Sequence, residues 1–195
     1  MVAVKSLVCH RDIEIALRCF PTLMRACQQP VDLVLHDDGT LTADDRERLR
    51  AVLPGVSFVE AKEADVVMEE KLKNYPWSAA FRTRNVLARK LLDVSLMSEL
   101  PFCFSDSDIC YIRPFSGFPE TAALVFTYSN LEAYSIRPWH VGRSVAMPSR
   151  VNTGMMYVRE FDLDFIEWFL SRRELQSVLR RMPFWAEQTA WAALG

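Results

Sequence analysis

A chain of 195 residues can bury one sizeable core but is short for two, and its mix of half hydrophobic and a quarter charged residues is that of a globular domain. The formal net charge of -2 removes the electrostatic reason to expect nucleic acid as a partner. No apolar run reaches the ~18 residues of a membrane span. The start, MVAVKSLVCHRD, places Lys5 inside its apolar stretch and meets His10-Arg11-Asp12 too soon for a secretory leader, so the chain is expected to begin in its fold. Five cysteines (Cys9, Cys19, Cys27, Cys103, Cys110) include no Cys-x-x-Cys pair and leave one over in any disulfide scheme. Most lie among apolar residues, where a reduced thiol behaves as a small hydrophobe, and a cytoplasmic protein is expected.

In chain order, Val2 to Cys9 is a short apolar strand. Asp12 to Cys27 follows as a helix, with Ile13, Leu17, Phe20 and Met24 near a 3.6-residue repeat and Pro21 as a candidate kink. Val31 to Leu35 is a second strand ending in His36-Asp37-Asp38-Gly39. Thr42 caps the next helix, with Asp45 completing an approximate capping box, and Pro54-Gly55 ends it. Val56 to Val59 is a third strand. A long helix is predicted from about Ser78 to Leu100, where Pro101 stops it. Phe102 to Phe104, Leu124 to Tyr128 and Gly154 to Val158 are strands, and Leu163 to the end reads as helix. This alternation predicts one α/β domain over residues 1–195, a mainly parallel, Rossmann-like sheet flanked by helices.

The segment PFCFSDSDICYIRPF, Pro101 to Phe115, carries the chemistry. In extended chain the side chains at i and i+2 share a face, so Asp106 and Asp108 can face one solvent pocket. Open α/β sheets collect ligands at the carboxyl ends of their strands, where this pair lies. Two carboxylates so close repel, and one pKa rises unless a cation joins them. A hard divalent ion resolves the conflict and can bridge to phosphate oxygens. Small serines flank Asp106 and leave room for a ligand. The plain alternative is a polar turn in which one aspartate caps the next segment of chain.

A strand ending in Asp-x-Asp, followed by an apolar stretch and Arg-Pro, resembles the GT-A glycosyltransferases. Three further segments resemble the family in the same order. VLHDDGTLT (Val34 to Thr42) is similar to its second strand and nucleotide-binding loop. VNTGMMYV (Val151 to Val158) is similar to the strand lining the sugar site in glycogenin-like members, and FWAEQTAWA (Phe184 to Ala192) to the helix near donor sugar and acceptor. The resemblance implies the GT-A nucleotide-diphospho-sugar transferase fold. It implies a nucleotide-sugar donor with uridine as the expected base, an acceptor hydroxyl of unknown identity, and manganese or magnesium held by Asp106 and Asp108. The family's third metal ligand is a C-terminal histidine. None corresponds before Gly195, and His140, between Trp139 and Val141, is a poor substitute by position. Either the chain lacks a C-terminal segment, or water and donor oxygens complete the metal sphere. A catalytically incomplete or non-catalytic nucleotide-sugar-binding domain is therefore the alternative.

The same resemblance makes Asp38 a contact to base or ribose, against a turn reading before Gly39. His10 ends the first strand where a base would rest, and Ser107 sits between the two aspartates. In FRTRNVLARKLLD, Lys90 is on the more apolar side and is the first choice to reach a diphosphate, with Arg82 and Arg84 next; the plain reading is a solvated basic face. Asn152 is expected at the donor-sugar hydroxyls, and Gly154 permits close backbone approach. Glu187 and Gln188 stand in an otherwise apolar helix, either surface-facing or aimed at a site, and the resemblance implies that they take the catalytic positions; Glu187 or Asp162 is a candidate base by position. A nucleotidyltransferase is disfavoured because KSLVCHRDIEI lacks a glycine-rich loop. An aspartyl-phosphate phosphatase is disfavoured because its Asp-x-Asp ends the first strand.

Overall fold

The computed structural model describes residues 1–116, 122–131, 134–135, 145–173, 175–176 and 185–195. Among these, strands β1 (Val2–Val8), β2 (Val31–Asp37), β3 (Ser57–Val59), β4 (Phe102–Ser105), β5 (Leu124–Tyr128) and β6 (Val151–Val158) form one sheet in the order β3-β2-β1-β4-β6-β5. β3, β2, β1 and β4 run parallel, and β6 runs antiparallel to both β4 and β5. The sheet is therefore mainly parallel with one reversed strand. Side-chain alternation splits the core into two layers. Val4, Val8, Cys103 and Tyr157 face α1 (Ile13–Ala26) and α2 (Ala43–Val52). On the other face Phe102, Phe104, Met156 and Val158 pack with residues of α5 (Ala88–Leu91), α7 (Leu163–Ser171) and α8 (Ala186–Leu194). Trp191, Phe102, Phe104 and Phe169 are essentially fully buried, each worth about 1.5–3 kcal/mol or more in removed apolar surface.

Local signals match where chemistry specifies them. Thr42 caps α2 reciprocally with Asp45, each side chain bonded to the other's backbone N–H. Gly39 adopts φ +105°, and Asp37 Oδ1 accepts from Gly39 N–H at 2.8 Å and Leu41 N–H at 3.1 Å, fixing the turn after β2. Pro21 lies inside a continuous α1.

The predicted helix from Ser78 to Leu100 is instead three pieces, α4 (Pro76–Arg84), α5 and α6 (Asp93–Met97), preceded by an unforeseen α3 (Ala61–Lys71). Asn85 is extended (φ -136°, ψ 109°), and its side-chain oxygen accepts from Leu87 N–H at 3.0 Å. This Asx-type turn competes with helix continuation. The kink lets Arg82 return onto Asp93 as a bidentate pair at 2.6 and 2.8 Å while also reaching Asp65 at 2.7 Å.

Candidate active site

β4 is buried along all four residues, so the chain can expose polar groups only once it leaves the sheet. It does so at Asp106, whose N–H donates to Gly154 O at 2.6 Å. Asp106, Ser107 and Asp108 all line a cavity of about 770 Å³ at the carboxyl ends of β1 and β4, the place where parallel sheets collect ligands.

The opposite wall comes from β6. Pairing with β5 jumps from Phe126↔Met156 to Thr127↔Asn152, leaving Thr153, Gly154 and Met155 without β5 partners. Such a bulge re-aims backbone and side chains. Asn152 Oδ1 accepts from Gly154 N–H at 2.7 Å. A Cβ on Gly154 would meet Asn152 Oδ1 at 2.8 Å and Asp106 Oδ2 at 3.2 Å. The two oxygens thus converge over a backbone that must be glycine.

The wall includes a buried ionic cluster. Lys90 Nζ donates to Asp106 Oδ1 at 2.9 Å and to Thr153 Oγ1 at 3.3 Å, and lies 4.5 Å above the Phe104 ring. Glu187 is 4 % exposed, and its Oε1 lies 3.9 Å from Lys90 Nζ with no hydrogen-bond partner among the described residues. Burial pushes the Glu187 carboxyl up to about 7, opposed by Lys90 and assisted by Asp106. Burial raises Asp106 as well, against the pull of Lys90, with Asp108 adding a smaller push. The repulsion expected between the two aspartates is present but small, and it acts in the same direction as burial.

The remaining sequence candidates divide. His10, Asp38, Asn152 and Gln188 line the cavity with Lys90 and Glu187. His10 Nδ1 lies 2.7 Å from Asp45 Oδ2, which orients the ring from the start of α2. Asp38 both caps its turn, accepting from Thr40 N–H at 2.9 Å, and faces the cavity. Arg82 and Arg84 do not line it: Arg82 is held by Asp93 and Asp65, and Arg84 is exposed at the end of α4. Asp162 caps α7 by accepting from Phe165 N–H at 2.9 Å and is also absent from the wall. His140 and Trp139 lie outside the described residues. Thr153 and Thr40 line the cavity, although the sequence did not mark them as site residues, and so does Arg11, which was placed with His10 where the base would rest. Thr153 was legible only as part of Asn-Thr-Gly, because nothing in the sequence announces the bulge.

The donor set suits a hard cation. Asp106 and Asp108 supply carboxylate oxygens, the hard donors magnesium or manganese prefer, and Asn152 adds an amide oxygen that already accepts from Gly154 N–H. Lys90 takes one oxygen of Asp106 and leaves Oδ2 towards Gly154. Among the described residues there is no group of three His, Cys, Asp or Glu side chains able to hold a metal.

No protein-family model matches this chain, and no curated protein matches it. Solved structures do. The galactosyltransferase LgtC, solved with donor and acceptor sugar analogues, matches 99% of this chain and 70% of its own with a TM-score of 0.59 at 10% identity. The mannosyltransferase Ktr4p from S. cerevisiae matches 98% of this chain with a TM-score of 0.61 at 12% identity. Core-mannan synthase A from Aspergillus fumigatus, in its Mn/GDP form, matches 98% with a TM-score of 0.58 at 10% identity. The chain has the GT-A glycosyltransferase fold. It spans 65% of the yeast enzyme and 68% of the Aspergillus one. Asp106 and Asp108 follow β4 directly and line the cavity at the carboxyl ends of the parallel strands. No helix among the described residues is long and apolar enough to cross a membrane.

Proposed function

We propose that residues 1–195 form one glycosyltransferase domain that moves a sugar from a nucleoside diphosphate, with uridine as the expected base, to an acceptor hydroxyl. The observation that carries this reading is the meeting of Asp106, Asp108, Lys90 and the Asn152–Gly154 bulge on one cavity wall at the carboxyl ends of the strands. The neighbouring structures with donor and acceptor sugar analogues and with Mn/GDP support it through the fold.

On this reading Asp106 and Asp108 hold a divalent metal, which supplies Lewis-acid stabilisation of the leaving diphosphate. Lys90 adds fixed positive charge beside it. Asn152 and Gln188 orient the sugar hydroxyls. Glu187 faces the sugar from a buried position, and its carboxyl stays protonated up to about neutral pH. His10 and Asp38, at the ends of β1 and β2, receive base and ribose.

Calorimetric titration with UDP, with and without manganese, tests donor binding, and consumption of UDP-sugars tests turnover. Metal-linked binding that disappears in Asp106→Ala and Asp108→Ala is the expected result; unchanged metal-linked binding in both would falsify the assignment.

A domain that binds nucleotide-sugar without turnover is the second reading. One observation favours it: Lys90 already neutralises Asp106. Metal-independent UDP binding with no donor consumption would select it.

A further inference from the structure

The segment after Asp108 lies along one face of α1. Cys110, Tyr111 and Phe115 meet Cys19, Thr22 and Ala26, whose spacing places all three on the same side of a helix. Tyr111 N–H donates to Thr22 Oγ1 at 2.9 Å, and Phe115 N–H donates to Ala26 O at 3.0 Å. At the end of this seam nearest the carboxylates, Cys19 Sγ and Cys110 Sγ stand 3.3 Å apart. Cys19 is buried and Cys110 exposed, and both are free thiols.

We propose that Cys19 and Cys110 are a reversible disulfide site that locks the Asp106–Asp108 loop to α1. The sulfurs need to approach by only about 1.2 Å to bond, a change within the reach of side-chain rotation. The hydrogen-bonded seam beside the pair already holds the two backbones in register. The oxidant is a small-molecule disulfide. Exposed Cys110 loses its proton to water and attacks one sulfur of that disulfide, releasing one thiolate. Cys19 then attacks Cys110 Sγ, forming the internal bond and expelling the second small thiolate, which is left as a thiol once Cys19's proton is transferred. Two protein thiols are oxidised and one disulfide is reduced to two thiols, so atoms and electrons balance.

The conformation that brings the sulfurs together is also the one in which Asp106, Ser107 and Asp108 all line the cavity. The crosslink therefore fixes the loop in its ligand-facing arrangement. Resting on the donor-binding reading above, this pre-pays loop ordering and tightens metal-linked UDP binding.

The test oxidises the full chain with glutathione disulfide and maps it by mass spectrometry. A peptide joining Cys19 to Cys110, two hydrogens lighter and lost on reduction, is expected. Closing a loop of about 90 residues is expected to raise Tm by about 5–10 °C, with no rise in Cys110→Ser or Cys19→Ser. Cys110 trapped only as a mixed disulfide with glutathione, or paired with another cysteine, overturns the proposal. UDP with manganese is then titrated into both forms, and the oxidised form is expected to bind about threefold tighter. Equal or weaker binding by the oxidised form overturns the loop-locking claim. Reduced protein that fails to bind UDP refutes the donor reading instead, while the peptide map still decides the disulfide.

Discussion

Lys90 and Asp106 form an ion pair at 2.9 Å in which the lysine is 5% exposed and the aspartate side chain 38%. The lysine is buried within the wall, whereas the aspartate is more open to the cavity. The same ammonium lies 3.9 Å from buried Glu187 Oε1. One positive charge therefore offsets two carboxylates whose own burial disfavours ionisation.

Removing that charge should be costly. Lys90→Met leaves half-open Asp106 without its cation and removes the charge that holds the buried Glu187 carboxyl down, so that Glu187 stays protonated to higher pH. Breaking a fully buried pair costs about 3–5 kcal/mol, and the exposure of Asp106 reduces this to about 2–3 kcal/mol. Urea unfolding measures the loss. A cost under about 0.5 kcal/mol would show that the pair is solvent-screened, as ordinary surface pairs are, at about 0–1 kcal/mol.

Gly154 gives a sharper site test. A methyl group there meets Asn152 Oδ1 at 2.8 Å, Asp106 Oδ2 at 3.2 Å and Ile109 Cδ1 at 3.2 Å. The first contact forces Asn152 to turn away, and the other two press on the carboxylate loop. Gly154→Ala is expected to cost about 1–3 kcal/mol of stability and to weaken metal-linked UDP binding about tenfold or more, by displacing oxygens rather than removing them. Binding equal to wild type would mean that the converging oxygens do not contact the ligand.

The capping box of α2 predicts a purely structural effect. Thr42→Ala removes the acceptor for Asp45 N–H at 3.2 Å and one donor to Asp45 Oδ2 at 2.8 Å. A loss of about 1 kcal/mol in denaturant unfolding is expected, the usual value of a threonine cap.

The contrast between that box and the active site shows what sequence can carry. Thr42-x-x-Asp45, Gly39 after Asp37-Asp38, and the apolar run into Asp106 are local devices whose partners lie within a few residues. Local chemistry specifies them, and they were legible. The break at Asn85 was not, because alternating apolar and charged residues from Ser78 to Leu100 satisfy a helical pattern, and one side-chain bond to Leu87 N–H redirects it. Arg82 and Arg84 followed Lys90 as candidates to reach a diphosphate. Only the tertiary placement of Asp65 and Asp93 removes Arg82 from the cavity, across gaps of 17 and 11 residues. The β6 bulge that exposes Thr153 and Gly154 depends on pairing with β5, which periodicity in either strand alone does not encode.

The pH dependence of stability should report the state of Glu187. Its carboxyl is raised from 4.5 to about 7 in the folded protein, so between these values the folded chain retains a proton that the unfolded chain has released. Stability from this group is complete below about pH 4.5, falls as pH rises towards 7, and is flat above, a change of at most about 3 kcal/mol. Asp106, also raised, adds a fall of the same sign, while Asp45 and Asp65, held below their ordinary values, act oppositely at lower pH. The difference between wild type and Glu187→Gln cancels those shared contributions. Measured by urea unfolding at intervals from about pH 4.5 to 8, wild type is expected to lose stability relative to the variant up to about neutrality and then to run parallel with it. A flat difference across the range would mean that Lys90 overcomes burial and Glu187 is already ionised at about pH 5. In that case the residue could act only as a fixed negative charge towards the sugar, and a protonated Glu187 would have to be withdrawn from the mechanism.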